Sequence, residues 1–157
     1  MNINKNNKKP RGDRGFTLIE ILVVIGIIAV LSAVVLVAIN PARQFKLARD
    51  SQRVSNVTAI LNAVGQNMAE HKGIFDCPVQ PTTTAKVISS DATIGLDIAS
   101  CLVPTYVSSL PFDPSATGAK FVSVSDYDTK YSILVDSNGR ITISANGELT
   151  PNISTTR

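Results

Sequence analysis

Gly15–Ile39, GFTLIEILVVIGIIAVLSAVVLVAI, is a long apolar run that carries one ionisable side chain, Glu20. Residues 16–39 number 24, and as a helix rising 1.5 Å per residue they span about 36 Å. That is enough to cross a hydrocarbon core with some tilt. A carboxylate inside such a segment is costly, so ordinary membrane helices avoid one. The length and the acid point in opposite directions, and the conflict between them is functional information.

Outward from this run, the charge divides unevenly. The total is +3, with 15 Lys+Arg, 12 Asp+Glu and an isoelectric point near 9.0. Lys5, Lys8, Lys9, Arg11 and Arg14 stand against Asp13 before Gly15, leaving 10 basic and 11 acidic residues for everything else. The basicity therefore belongs to residues 1–15, and a nucleic-acid role does not follow from the overall charge. That segment, MNINKNNKKPRGDRG, has no apolar face and is expected to be disordered. Its cations favour an N-terminus in the cytoplasm and place the remainder outside. The apolar run exceeds the usual 7–15 residues of a secretory h-region, although Leu36-Val37-Ala38 offers a mediocre cleavage site.

Beyond Ile39, Asn40-Pro41 predicts a kink or local loosening, because Pro41 removes a backbone donor and crowds the preceding turn. Residues 40–72 then read as an amphipathic helix, with Val57, Ile60, Leu61, Val64 and Met68 on one stripe. Arg49, Arg53, Asn56, Asn62, Gln66 and Asn67 are assigned to other faces. Gly73 is the expected stop. Residues 73–157 form the expected head: an irregular, proline-rich connection to residue 119, with short apolar pieces at Lys86–Ile88 and Ile94–Ile98, and then a β-meander. Three strands are expected at Lys120–Ser125, Lys130–Val135 and Arg140–Ala145, with turns at Asp126–Thr129 and at Asn138-Gly139. The fold class is α+β: a long N-terminal helix, half transmembrane and half amphipathic, packed on a small antiparallel sheet.

Gly15-Phe16-Thr17-Leu18-Ile19-Glu20, after a basic leader and before an apolar helix, resembles the processing signature of type IV pilins and pseudopilins. The resemblance covers residues 11–39 closely and the helix-then-sheet plan more loosely. It implies cleavage between Gly15 and Phe16 by a prepilin peptidase, methylation of the new Phe16 amine, and assembly into a helical filament. The implied partners are further copies, other pilins and an inner-membrane assembly platform. Physical reasoning supports the roles. The new amine and Glu20 are both costly in lipid, and a staggered neighbour lets Glu20 of one chain meet the amine of the next. Glycine before the cut lets a protease approach the backbone. The plainer reading of Glu20 is a carboxylate snorkelling to the headgroups.

Other candidates carry less. Cys77 and Cys101 lie in the part expected outside, where an oxidising compartment lets them pair, worth about 3 kcal/mol in the chain-entropy model. Arg43, Lys46, Arg49 and Arg53 against Asp50 read as a basic collar, while residues 73–157 hold five basic and eight acidic groups. These poles suit contacts between a head and a neighbouring stem, or a solvated collar near anionic headgroups. DNA capture by the collar, as in a competence pilin, lacks an aromatic platform. Asp113, Asp126 and Asp128 are weak calcium candidates by resemblance to some major pseudopilins, and otherwise no cofactor is expected. His71 is placed on the wet end of the helix. No nucleophile–base set or phosphate loop stands out, so an enzyme is not expected. The absence of a recognisable C-terminal disulfide loop leans towards a pseudopilin-like or minor form. The alternatives are a membrane-anchored extracytoplasmic binding module and a secreted domain whose apolar run is removed.

Overall fold

The computed structural model describes residues 15–157, so the leader expectations before Gly15 lie outside the described residues. Two units are distinguished, one ending at Pro41 and one running from Ala42 to Arg157. The first is essentially α1, Leu18–Ile39, 22 residues that span about 33 Å. None of them is buried. The helix stops because Asn40 adopts a left-handed conformation, φ 48°, which asparagine tolerates better than most residues. Proline disfavours helical geometry in the residue before it and suits the first position of a new helix. α2 accordingly begins at Pro41 and runs to Glu70. The expected loosening is a break of one residue.

α2 ends as the glycine predicts. Lys72 and Gly73 both have positive φ, 57° and 86°, and the Gly73 N–H reaches back to the Met68 carbonyl at 2.7 Å. Val57, Ile60, Leu61 and Val64 are buried and Met68 partly so, in keeping with the apolar stripe.

The sheet has six strands: three at the expected meander, two at the short apolar pieces Lys86–Ile88 and Ile94–Ile98, and a last one beyond the meander. β1 is Lys86–Ser89, β2 Gly95–Leu96, β3 Lys120–Ser123, β4 Asp126–Val135, β5 Ile141–Ala145 and β6 Ile153–Thr156, with a short α3, Ala99–Leu102, between β2 and β3. The order is β2-β1-β4-β5-β6, with β3 also pairing with β4. β1 and β2 are parallel and the other pairs antiparallel. Alternation on β4 buries Tyr127, Thr129, Tyr131 and Ile133, and on β5 Ile141, Ile143 and Ala145. This face shares one core with the α2 stripe.

The Asp126–Thr129 turn is a correction. Those residues belong to β4, and the β3–β4 connection is Val124-Ser125, because Ser123 pairs with Asp126. The turn-like composition marks a bulge instead. Between Ser89↔Asp128 and Val87↔Ser132 the β4 side carries two extra residues, and Lys130 there has φ 61°. Asp128 accepts the Lys130 N–H at 3.0 Å, and the Thr129 hydroxyl donates to the Ile88 carbonyl at 2.9 Å. Aspartate and threonine thus satisfy backbone groups that the ladder leaves unmatched. The Asn138-Gly139 turn joins β4 to β5 as expected, with Gly139 at φ 79°.

Candidate functional site

At the start of α1, Thr17 is the N-cap. Its hydroxyl oxygen accepts the Glu20 N–H at 3.3 Å, and Glu20 Oε2 accepts the Thr17 N–H at 2.8 Å. The Thr17 hydroxyl also donates to Glu20 Oε2 at 2.8 Å. This is a capping box, in which two otherwise unpaired N–H groups are satisfied reciprocally. It also sets the carboxylate at the positive end of the helix dipole. The Thr-x-x-Glu spacing of a capping box is legible in the sequence, beside the two expectations for Glu20 of meeting an amine or snorkelling to the headgroups. Phe16 lies one residue before the N–H that Glu20 accepts, and its side chain is 84% exposed. An amine created at Phe16 would therefore arise beside a carboxylate already ordered within its own chain. The large apolar side chains of α1, from Leu18 to Ile39, are all half or more exposed, so the unit offers a hydrophobic surface and one ordered acid, and nothing in it covers that surface.

In the second unit the collar expectation needs correcting. Arg53 is 3% exposed, and all five of its guanidinium N–H groups have acceptors. They reach Asp113 at 2.7 and 2.9 Å, Asp50 at 2.8 Å, Ser115 at 2.7 Å and Glu148 at 3.3 Å. Arg49 makes a two-pronged pair with Glu148 at 2.5 and 2.7 Å. Two of the four collar cations are therefore turned into the fold. Asp50 also accepts the N–H groups of Glu148, Leu149 and Thr150 at 2.8, 2.8 and 3.0 Å, which clips residues 147–150 to α2. Those backbone bonds, led by Glu148, hold the Asp50 carboxyl far below its usual range, with Arg53 adding to them. Arg49 brings Glu148 down to about 2. Burial works against ionisation of Asp113, but Arg53 and the Ser115 and Ala116 N–H groups outweigh it, so its pKa is lowered. Bonding to Asp113 in turn raises Arg53.

Arg53 and Asn67, expected on faces other than the apolar stripe, are both buried. The signal was present: Asp50, Arg53, Val57, Ile60, Val64 and Asn67 are spaced alternately three and four apart, so the polar pair at one end and Asn67 at the other continue the stripe. Asn67 accepts the Asp76 N–H at 2.8 Å and donates to the Cys101 carbonyl at 3.4 Å. It anchors the segment closed by the Cys77–Cys101 disulfide, whose Cα atoms are 5.5 Å apart. His71 lies beside it, half-buried, 3.2 Å from Asp76 and with Nδ1 2.7 Å from the Asn67 carbonyl.

The three calcium candidates are each committed to a cation: Asp113 to Arg53, Asp126 to Lys120 at 2.5 Å and Asp128 to Lys130 at 2.6 Å. The structure does not bring them together, and among the described residues no group of three or more His, Cys, Asp or Glu could hold a metal ion.

Comparison with curated proteins and with solved structures gave no match. Residues 10–36 match the family model described as the prokaryotic N-terminal methylation motif, which takes in Gly15, Phe16, the Thr17–Glu20 cap and most of α1. The chain thus carries the N-terminal methylation motif that is the signature of type IV pilins and pseudopilins.

Proposed function

We propose that this protein is a structural subunit of a type IV pilus-like filament or secretion pseudopilus. One observation carries the reading: a 22-residue apolar helix with no buried residue begins inside the methylation motif, which covers most of it, and its one acid is ordered at the N-terminal end. In the proposed cycle a prepilin peptidase cuts between Gly15 and Phe16 and the new amine is methylated. Before assembly α1 sits in the membrane with the leader in the cytoplasm and Ala42–Arg157 outside. Assembly then moves α1 from lipid into a bundle of α1 helices, which replaces one apolar surround by another. Glu20 registers the helices by meeting the Phe16 amine of a staggered neighbour. The role is structural rather than catalytic, and Cys77–Cys101 braces the head in an oxidising compartment.

The N-terminal residue and mass of the mature protein test this. A chain beginning with N-methyl-Phe16 supports it. An intact Met1 favours a membrane-anchored binding module, and a start near Ile39 favours a secreted domain.

A further inference from the structure

Two triplets in the chain have the form asparagine, any residue but proline, then serine or threonine: Asn56-Val57-Thr58 and Asn152-Ile153-Ser154. In a domain outside the cytoplasm this pattern is the acceptor for an N-linked saccharide, provided the asparagine lies on the surface. The triplet alone assigns nothing, but the structure treats the two in opposite ways.

Asn56-Val57-Thr58 lies inside α2 and is fully committed. The Asn56 Nδ2 donates to the Phe112 carbonyl at 3.1 Å and to the Tyr131 hydroxyl at 2.8 Å. Val57 is buried, and the Thr58 hydroxyl donates to the Val54 carbonyl at 2.7 Å.

Asn152 stands in the connection just before β6, and it is exposed, as are Thr150 and Pro151 ahead of it. Its φ of 61° is the left-handed conformation that asparagine tolerates, and its side chain makes no hydrogen bond to the described residues. Ile153 turns inward, 5% exposed, whereas Asn152 and Ser154 are both exposed. The amide and the hydroxyl of this triplet therefore stand outside together, while the residue between them anchors the strand.

The neighbouring edge leaves room for a large substituent. β6 is an outer strand of the sheet. Ile141 and Arg157 exchange backbone hydrogen bonds at 2.8 and 3.0 Å, so by alternation the Ser154 and Thr156 backbone groups point away from β5. A bulky group at Asn152 would meet no further strand there, and it would shield an edge that otherwise invites pairing with another chain.

We propose that Asn152 is an N-glycosylation site that takes a saccharide from a lipid-pyrophosphate donor. In the transfer the Asn152 Nδ2 forms a bond to the anomeric carbon of the saccharide, and the bond from that carbon to the pyrophosphate oxygen breaks. The lipid pyrophosphate leaves with the electron pair, and the amide releases one proton. Ser154 supplies the hydroxyl that the transferase reads. The inference rests on the reading that puts Ala42–Arg157 outside the cytoplasm.

The test uses full-length protein purified from the cells that make it, digested with trypsin and weighed peptide by peptide. The peptide Ile141–Arg157 is expected to carry a saccharide mass, located on Asn152 by fragmentation, while the Asn56 peptide stays unmodified. That mass should be lost completely in Asn152→Gln and in Ser154→Ala, and kept in Ser154→Thr. Ser154 is exposed, so its two variants decide the matter even if Asn152→Gln fails to fold. The same digest reports the N-terminus. An unmodified Ile141–Arg157 peptide beside N-methyl-Phe16 overturns the site and leaves the filament reading standing. A saccharide on Asn152 beside an intact Met1 keeps the site and removes the filament reading. An unmodified peptide beside an intact Met1 overturns both. A saccharide on Asn56, or one that persists in Ser154→Ala, contradicts the assignment.

Discussion

Glu20 and Arg53 are both charged side chains on helices with a long apolar surface, and they are handled in opposite ways. Arg53 is buried and finds every partner inside its own unit, from α2, from residues 113–115 and from Glu148. Glu20 stands on a helix with no buried residue and receives only what Thr17 supplies from the adjoining turn. The Arg53 network is closed within the head, whereas in the proposed reading α1 is completed by its surroundings. In the proposed reading, a helix of this composition with no buried residue serves as an element for lipid or for other copies of itself.

The sharpest way to break this contrast is at Arg53. Arg53→Ala leaves Asp50 and Asp113 as buried carboxylates without their cation and should cost about 3–5 kcal/mol in denaturant unfolding of the full chain in detergent. Arg53→Lys should recover only part of that loss, because an ammonium cannot reproduce five directed bonds. A change below 1 kcal/mol would mean that the network does not hold the head together.

Next in size is the staple. Replacing Cys77 and Cys101 by alanine opens a loop with a sequence separation of 24 and should lower stability by about 3 kcal/mol. An unchanged unfolding midpoint would show that Asn67 alone suffices to hold that segment. Tyr127→Phe should follow at about 1–2 kcal/mol, since the hydroxyl donates to Asp97 at 2.7 Å and accepts the Ile98 and Ala99 N–H groups at 3.0 and 3.2 Å. Burial, followed by Asp97, raises that phenol well above its usual range, so it stays protonated through ordinary pH.

A graded loss is expected in acid. Asp50, Asp113 and Glu148 all have lowered folded-state pKa values, so their contribution is present above the unfolded values near 4. It should be lost as pH falls through the folded values, for Glu148 between about 4.3 and about 2. Urea midpoints measured from pH 6 to pH 2 check this, and a flat profile would contradict it. The smallest effect belongs to the other region: Thr17→Val removes the cap and should speed amide exchange in the first turn of α1 about fivefold. Little change would mean that the surroundings, and not the cap, order that turn.

The sequence carried the large features because they are periodic. The apolar run, the α2 stripe, the Gly73 stop and the Asn138-Gly139 turn all rest on local rules, and the structure has each of them. What escaped depends on distant partners. β6 holds a single apolar residue, Ile153, and is a strand because β5 offers it a ladder. Asp126–Thr129 looks like a turn locally and becomes part of β4 once β1 and β3 flank it. Arg49 and Arg53 look like solvated cations until Glu148 and Asp113 arrive from 99 and 60 residues away. At α1 the cleavage and methylation motif was fully legible, but its Thr17–Glu20 cap was passed over because the acid was weighed by charge alone.

The claim that α1 is completed by neighbouring chains is tested most directly by filament yield from a Glu20→Ala variant whose mature mass shows normal cleavage and methylation. The account predicts correct processing with assembly lost or severely reduced. Filaments at the wild-type level would contradict it.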